Sequence, residues 1–373
     1  MRTVAVLFGG KSCENEISIL TGVFVLNILE REKYEVVPIY LHTDGGMYTS
    51  SRMTDLNVFR EKRYGMFTRI FFEGGVMYAL NAKKGRIRRI GKPDVALNCC
   101  HGGLGEGGGV SAMMEWNGIP LASPDLTTSA LFMDKCLTKI VMNGLNVPIL
   151  DYIRVNEQDY EKRGAFLLRR VEARLGYPVI VKPAHLGSSI GIAVAKDEEE
   201  LKIALTNAFE LDARVLIEPF LKEKKDVNCA AYAMNGEIFV SEPEAAFGEG
   251  LYTFEEKYVK RKTDRGILQK GQGRYALNTE VREKIRAYTK TVYKRMGLNG
   301  VVRMDFLVSD GKAYLCEVNT VPGSLAYYLF CERVTDARAF FGDLLEEALK
   351  QGVPSQKKGI TTGILKTVKW QGK

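Results

Sequence analysis

The sequence predicts an α/β protein of more than one domain, opening on a doubly wound parallel sheet. Three observations carry this. Residues 4–8 and 36–41 are apolar, strand-like runs on either side of a helical stretch at 14–30, which makes a βαβ opening. Residues 93–100 form another apolar strand and run into a glycine-dense loop, at the end of a strand where doubly wound sheets hold ligands. Towards the C-terminal end, two β-prone runs flank Ser309-Asp310-Gly311, a turn signal that joins them as a hairpin. A chain of 373 residues with 46% hydrophobic content is long enough for about two or three cores.

Composition narrows the function classes. No apolar run approaches the length of a membrane span, and Met1-Arg2-Thr3 leads straight into the first strand without a signal-peptide pattern, so the cytoplasm is the expected compartment. The seven cysteines lack paired zinc spacing and mostly sit in apolar runs, as reduced structural thiols do. A net charge of +8 permits nucleic-acid binding, but the basic residues are scattered apart from Arg86 to Arg89 and the run from Lys257 to Lys270. The second run suits a nucleotide-phosphate site and the first a solvated turn or strand edge. Neither a nucleic acid nor a membrane is expected as a partner.

Taken in order, Gly9-Gly10 lacks the further glycines of a dinucleotide fingerprint, so this turn presents side chains such as Glu14 near a helix N-terminus. Residues 43–92 are a polar insertion with two hairpin patterns. The loop from His101 to Gly109 follows a strand and precedes a helix-like stretch at 110–117, which favours a ligand loop over a linker. A helix at 134–145 carries Lys135 and Lys139, and Pro148 marks a boundary. The strand 177–183 buries Lys182 among apolar residues, which is costly unless the ammonium meets an anion. His185 to Gly191 follows as a Gly/Ser loop with donors of the kind that cradle phosphate. A helix at 198–209, a strand at 214–221 and an amphipathic helix at 337–351 complete the pattern, and the tail from 354 lacks helical periodicity. The expected units are residues 1–125, 126–220 and 221–353, with a tail at 354–373.

The hairpin carries the chemistry. Strand alternation puts Arg303 with Asp305 on one face, and Glu317 with Asn319 on one face of the returning strand. Two carboxylates and an amide oxygen are hard donors suited to Mg2+, which is completed by water and phosphate oxygens. An exposed hairpin with a solvated acidic face would explain any one of these carboxylates. It does not explain four polar groups recurring at i, i+2 inside apolar strands and running into Pro322-Gly323.

The order of Lys135, the strand with Lys182, the Gly187-Ser188-Ser189 loop, the Ile217-Glu218-Pro219-Phe220-Leu221 turn, Arg303-x-Asp305 and Glu317-x-Asn319 resembles the ATP-grasp fold. With Phe8-Gly9-Gly10-Lys11-Ser12-x-Glu14-x-Glu16 and His101-Gly102-Gly103, the chain resembles the D-alanine:D-alanine ligase family over residues 3 to 350. The resemblance implies an ATP-dependent ligase that phosphorylates the carboxylate of one D-amino acid and joins it to the amine of a second, supplying a dipeptide for peptidoglycan and working as a homodimer. It implies that Lys135 and Lys182 meet the α- and β-phosphates, and that Asp305, Glu317 and Asn319 hold two Mg2+ (or Mn2+). Glu218, Phe220 and the Leu221 N–H would form the adenine site, with Asp226 on the ribose. A loop at 253–274 would close over the centre, bringing Lys257 to the γ-phosphate and Tyr258 to Ser188 and Glu14. Glu14 would also hold the first substrate's ammonium group, His101 would lie near that substrate's carboxylate, and Arg303 with the Gly323 N–H would stabilise the oxyanion.

Two departures bear on specificity. Tyr328 stands where the family places a serine that contacts the second amino acid's carboxylate, so it either supplies a phenolic hydroxyl or fills the pocket. The usual Glu-Asp-Gly of the histidine loop is Glu106-Gly107-Gly108, and a glutamine further on is replaced by Ser111. Tyr258 matches the dipeptide-forming members. The alternatives are a ligase with a different second amino acid or amine, and a nucleotide-binding protein that no longer ligates; the latter need not keep a complete metal set.

Overall fold

The computed structural model describes residues 1–81, 84–245 and 277–353. The expected closing loop with Lys257 and Tyr258, and the tail from 354, lie outside the described residues. Strands β1 (Arg2–Gly9), β2 (Tyr34–Leu41), β3 (Met47–Thr49), β4 (Thr68–Glu73), β5 (Val76–Asn81), β6 (Arg86–Gly91), β7 (Val95–Asn98) and β8 (Leu121–Ala122) form one sheet. Their order is β6-β5-β4-β3-β2-β1-β7-β8. The β2-β1-β7-β8 part is parallel and β3 to β6 extend it antiparallel. The insertion's hairpin patterns are thus strands of the first sheet. Its outermost strand carries Arg86 to Arg89, exposed to water.

Alternation along β1 explains its wholly apolar sequence. Val4, Val6 and Phe8 enter a core shared with helices Asn15–Ile28 and Ala337–Gln351, while Ala5 and Leu7 enter a core on the other face with Val110 and Met114. Each fully buried large side chain there contributes about 1.5–3 kcal/mol relative to exposure. The last helix among the described residues therefore seals the first sheet.

The second sheet holds β9 (Ile153–Asn156), β10 (Val179–Pro183), β11 (Ala193–Ala195) and β12 (Arg214–Pro219) in the antiparallel order β11-β10-β12-β9. Val179, Val181, Val215 and Ile217 pack on helices Glu157–Leu175 and Glu198–Phe209. The two-residue period then puts Lys182 and Glu218 on the opposite face.

The third sheet holds β13 (Lys225–Met234), β14 (Glu237–Val240), β15 (Glu244–Ala245), β16 (Val301–Ser309) and β17 (Lys312–Asn319), in the order β14-β13-β16-β17 with β15 on β13. Val302, Met304, Phe306 and Val308 bury against helix Thr279–Arg295, together with Phe132, Met142 and Val147 from the stretch before β9. Asp310 (φ 50°) and Gly311 (φ 70°) make the left-handed pair of a type I′ turn, whose twist matches that of the strands it joins. The register slips between Asp305 and Phe306, which pair with Glu317 and Leu315 and leave Cys316 as the extra residue of a bulge. Without that bulge, Glu317 would share the core-facing side of Leu315.

Candidate active site

The three sheets meet at one cleft, lined by Glu14, His101, Glu106, Lys135, Ser188, Arg303, Glu317, Asn319 and Gly323 among others. On its floor, Arg303 holds Asp305 through a bidentate pair, Nε to Oδ1 at 2.7 Å and Nη2 to Oδ2 at 2.9 Å. Asn319 Nδ2 donates to the same Oδ2 at 3.1 Å. The guanidinium stays charged: burial opposes this, but Asp305 outweighs it. Burial and the neighbouring Glu317 push the Asp305 carboxyl up against the pull of Arg303. Two carboxylates crowded in a partly buried floor repel one another, and a divalent cation relieves that repulsion. Each carboxylate oxygen can accept a hydrogen bond and still coordinate, so the donor set fits Mg2+.

Opposite, the Lys135 ammonium donates to the Leu186 carbonyl at 2.6 Å and lies 3.8 Å from Glu317. Its helix, Lys135–Gly144, starts where Asp134 caps the Cys136 and Leu137 N–H groups. Asp134 and Asp212 also bracket His185, and their hydrogen bonds raise its imidazole to about 9. That cluster ties the Gly/Ser loop to the helix start. Within the loop Ser188 adopts φ 53° and donates a hydrogen bond to Glu14. A Cβ on Gly102 or Gly187 would fall 2.6 or 2.8 Å from Glu14 Oε2, so glycine is needed at both for the carboxylate to sit there.

Further back, Lys182 donates to Glu218 Oε2 at 2.7 Å, and Lys139 pairs with the other carboxylate oxygen. All three are buried. Burial alone would raise the Glu218 carboxyl; Lys139 and Lys182 overcome it and hold the group at about 2. The Phe220 N–H is spent on the Pro178 carbonyl and Pro219 has none, while the Leu221 N–H makes no hydrogen bond among the described residues. Asp226, at the start of β13, is paired with Lys224.

Chains of known kind share this plan. A profile described as "D-ala D-ala ligase N-terminus" matches residues 3–124 and one described as "D-ala D-ala ligase C-terminus" matches residues 141–350. The D-alanine--D-alanine ligase of Thermosipho melanesiensis is 31% identical, over 98% of this chain and 99% of that one. The chain belongs to the D-alanine–D-alanine ligase family. The family's enzymes are ATP-dependent, ADP-forming ligases of the ATP-grasp fold. The D-alanine--D-alanine ligase of Nitratiruptor sp. is 35% identical over 93% of this chain and 94% of its own length. Among solved structures, the D-Alanine-D-Alanine Ligase of Helicobacter pylori superposes with a TM-score of 0.73 at 28% identity, covering 95% of this chain and 99% of that one.

Against this family background, the cleft gathers Glu14, His101, Lys135, Ser188, Arg303, Glu317, Asn319 and Gly323, with Asp305 on its floor. Tyr328 joins them: its hydroxyl lies 3.4 Å from Arg303 Nη1. Two expected side chains are also engaged within the protein. Both Glu218 oxygens are engaged by lysines, because an unpaired carboxylate at 1% exposure would be far too costly; it orders Lys182 and Lys139. His101, 4% exposed, has both ring nitrogens hydrogen-bonded within the protein, to Thr21 and to the Val321 carbonyl. Burial, with help from Arg303, depresses its pKa to about 4, so the ring is neutral.

Sequence reasoning missed Glu106 and the pairing of Lys139. Glu106 accepts hydrogen bonds from the Gly102 N–H at 2.9 Å and the Val321 N–H at 3.1 Å, linking the glycine-rich loop to the end of the hairpin. Burial, reinforced by Glu14, pushes its carboxyl up to about 7. Nothing in a glycine-rich loop signals that its one carboxylate will turn inward. For Lys139 there was a signal: it stands four residues after Lys135, on the same face of the helix.

Proposed function

We propose that this protein is a D-alanine:D-alanine ligase that joins two D-alanines through an acyl-phosphate intermediate and supplies the dipeptide for peptidoglycan. The observation that carries the reading is the meeting of Arg303, Asp305, Glu317 and Asn319 with Lys135 and the Glu14–Ser188 pair around one cleft. Residues 1–125, 126–220 and 221–353 serve as its three working units, and the active form is a cytoplasmic homodimer.

Asp305, Glu317 and Asn319 would hold two Mg2+, whose charge neutralises the phosphate oxygens during transfer. Lys135 and Lys182 meet the α- and β-phosphates, Lys182 remaining charged because Cys316, Glu218 and Glu317 outweigh its burial. Glu218 keeps the lysines ordered and, with Phe220 and the Leu221 N–H, forms the adenine site, while Asp226 takes the ribose hydroxyls. Lys257 approaches the γ-phosphate. Glu14 holds the ammonium group of the first D-alanine, with Ser188 and Tyr258 fixing that carboxylate. Once the carboxyl is phosphorylated, attack by the second amine puts negative charge on the former carbonyl oxygen. Arg303 and the Gly323 N–H stabilise that charge, and closure of the 253–274 loop excludes water from the labile intermediate.

A second reading keeps this chemistry and changes the acceptor. Tyr328 favours it, because a phenol beside Arg303 narrows the space for the second substrate and offers it a hydroxyl. Purified protein incubated with Mg-ATP and D-alanine should release ADP and form D-alanyl-D-alanine by mass spectrometry. ADP released only when another D-amino acid is added would favour the second reading, and no turnover with any acceptor would sink both.

A further inference from the structure

One segment beside the cleft is strained. Ser324, Leu325 and Ala326 have φ of 51°, 51° and 47°, three successive non-glycine residues in the left-handed region. Such strain persists only where the surroundings over-determine the backbone. Leu325 and Ala326 are buried in the core under the first sheet, which fixes the far side of the turn. The near side is fixed by hydrogen bonds. Val321 donates its N–H to Glu106 at 3.1 Å, and its carbonyl pairs with His101 Nδ1 at 2.7 Å. Ser324 donates its N–H to Thr21 Oγ1 at 3.2 Å. Between these anchors lie Pro322, whose ring locks φ, and Gly323, the residue with the most backbone freedom.

The direction of each bond follows from the groups. A carbonyl only accepts, so His101 Nδ1 carries the proton and Nε2 is an acceptor. The Thr21 hydroxyl, 2.8 Å from Nε2, therefore donates its one hydrogen to the ring and is left with a lone pair for Ser324. Thr21 is 2% exposed on helix Asn15–Ile28. Thr21 thus both bonds the acceptor nitrogen of a ring whose tautomer the Val321 carbonyl fixes and receives the backbone on the far side of Gly323.

We infer that Thr21 is a positioning residue, whose hydroxyl, through His101 and Ser324, holds the Gly323 N–H in the orientation the reaction needs. The inference rests on the ligase reading above, and goes beyond it by assigning a role to a helix residue that touches no substrate.

Thr21→Val keeps the shape and removes the hydroxyl; Thr21→Ser keeps the hydroxyl. Dipeptide synthesis by T21V should fall at least about tenfold in kcat with the KM for ATP unchanged, and T21S should stay within about twofold of wild type. The 15N signal of His101 Nε2 should shift towards that of a free acceptor in T21V only. A T21V enzyme with wild-type kcat, equal losses in T21V and T21S, or a loss confined to the KM for ATP would each overturn the inference. Wild-type protein run alongside separates the two failures. If it makes no dipeptide, the ligase reading falls and takes this inference with it; if it is active and T21V equally so, this inference alone falls.

Discussion

Buried charge is the theme at the residue scale. Glu317 lies on the site face because of the bulge at Cys316, beside Asp305 and 3.8 Å from Lys135. Glu317→Gln keeps the volume and removes the charge that a divalent ion needs. It should abolish ADP release at all Mg2+ concentrations while the melting temperature stays near wild type; undiminished turnover would refute the metal assignment. Lys139 raises a different question, because it is 1% exposed and its partner Glu218 also has Lys182. Removing one member of a buried ionic group leaves charge uncompensated, at a cost of roughly 3–5 kcal/mol. Since Lys182 remains, Lys139→Met should sit at the lower end of that range in urea denaturation. A loss near zero would mean that Lys182 alone satisfies Glu218.

At the scale of elements, the Gly/Ser loop is fastened at its start by a charged cluster. His185 follows β10 and sits between Asp134, which caps the Lys135 helix, and Asp212, which precedes β12. Asp212 also accepts from the His185 and Arg214 backbone N–H groups, and Arg214 pairs with Asp134. Because the imidazole is raised from 6.5 to about 9 in the folded protein, its stabilising effect is complete below about pH 6.5 and is lost as the pH rises through about 9. Thermal melts should therefore show wild type losing more stability than His185→Gln between about pH 8 and 10. Parallel curves would show that the ring's charge does not hold the loop. The strand–turn–strand of β16 and β17 was legible because its turn and its polar alternation are local patterns. The bulge was not, since an extra residue in one strand is defined only by the partner strand.

On the scale of the whole molecule, the first core is built from both ends of the chain. Phe341, fully buried, contacts Phe24 of the first helix and Tyr327 beyond the hairpin. Phe341→Ala should cost about 3–5 kcal/mol by denaturant unfolding, as large-to-small changes in a packed core do. A fragment of residues 1–125 lacks the helix that covers Val4, Val6 and Phe8, and should show no cooperative melt by circular dichroism. A sharp transition for that fragment would mean that the first sheet buries enough surface alone. The same packing brings Glu14, from the first loop, within reach of Ser188 on the second sheet's loop and opposite Arg303 on the third. The fold and most of the cleft's residues could be read from sequence because each motif is short and the motifs come in order. Contacts such as Glu106 to Val321 or Thr21 to Ser324 could not, because they join distant parts of the chain that only the packing brings together.

The sequence by itself determined the strands and helices and the hairpin with its paired polar residues, because period-two and helical patterns and turn residues act over a few residues, and the order of its motifs carried the resemblance to a ligase family. Tertiary structure alone decided that Glu218 serves two lysines, that His101 is neutral and fully bonded, that Glu106 turns inward, and that Thr21 reaches the turn at Gly323. Those outcomes depend on burial and on which groups are left to satisfy one another once water is excluded, and neither is a property of any local stretch of chain.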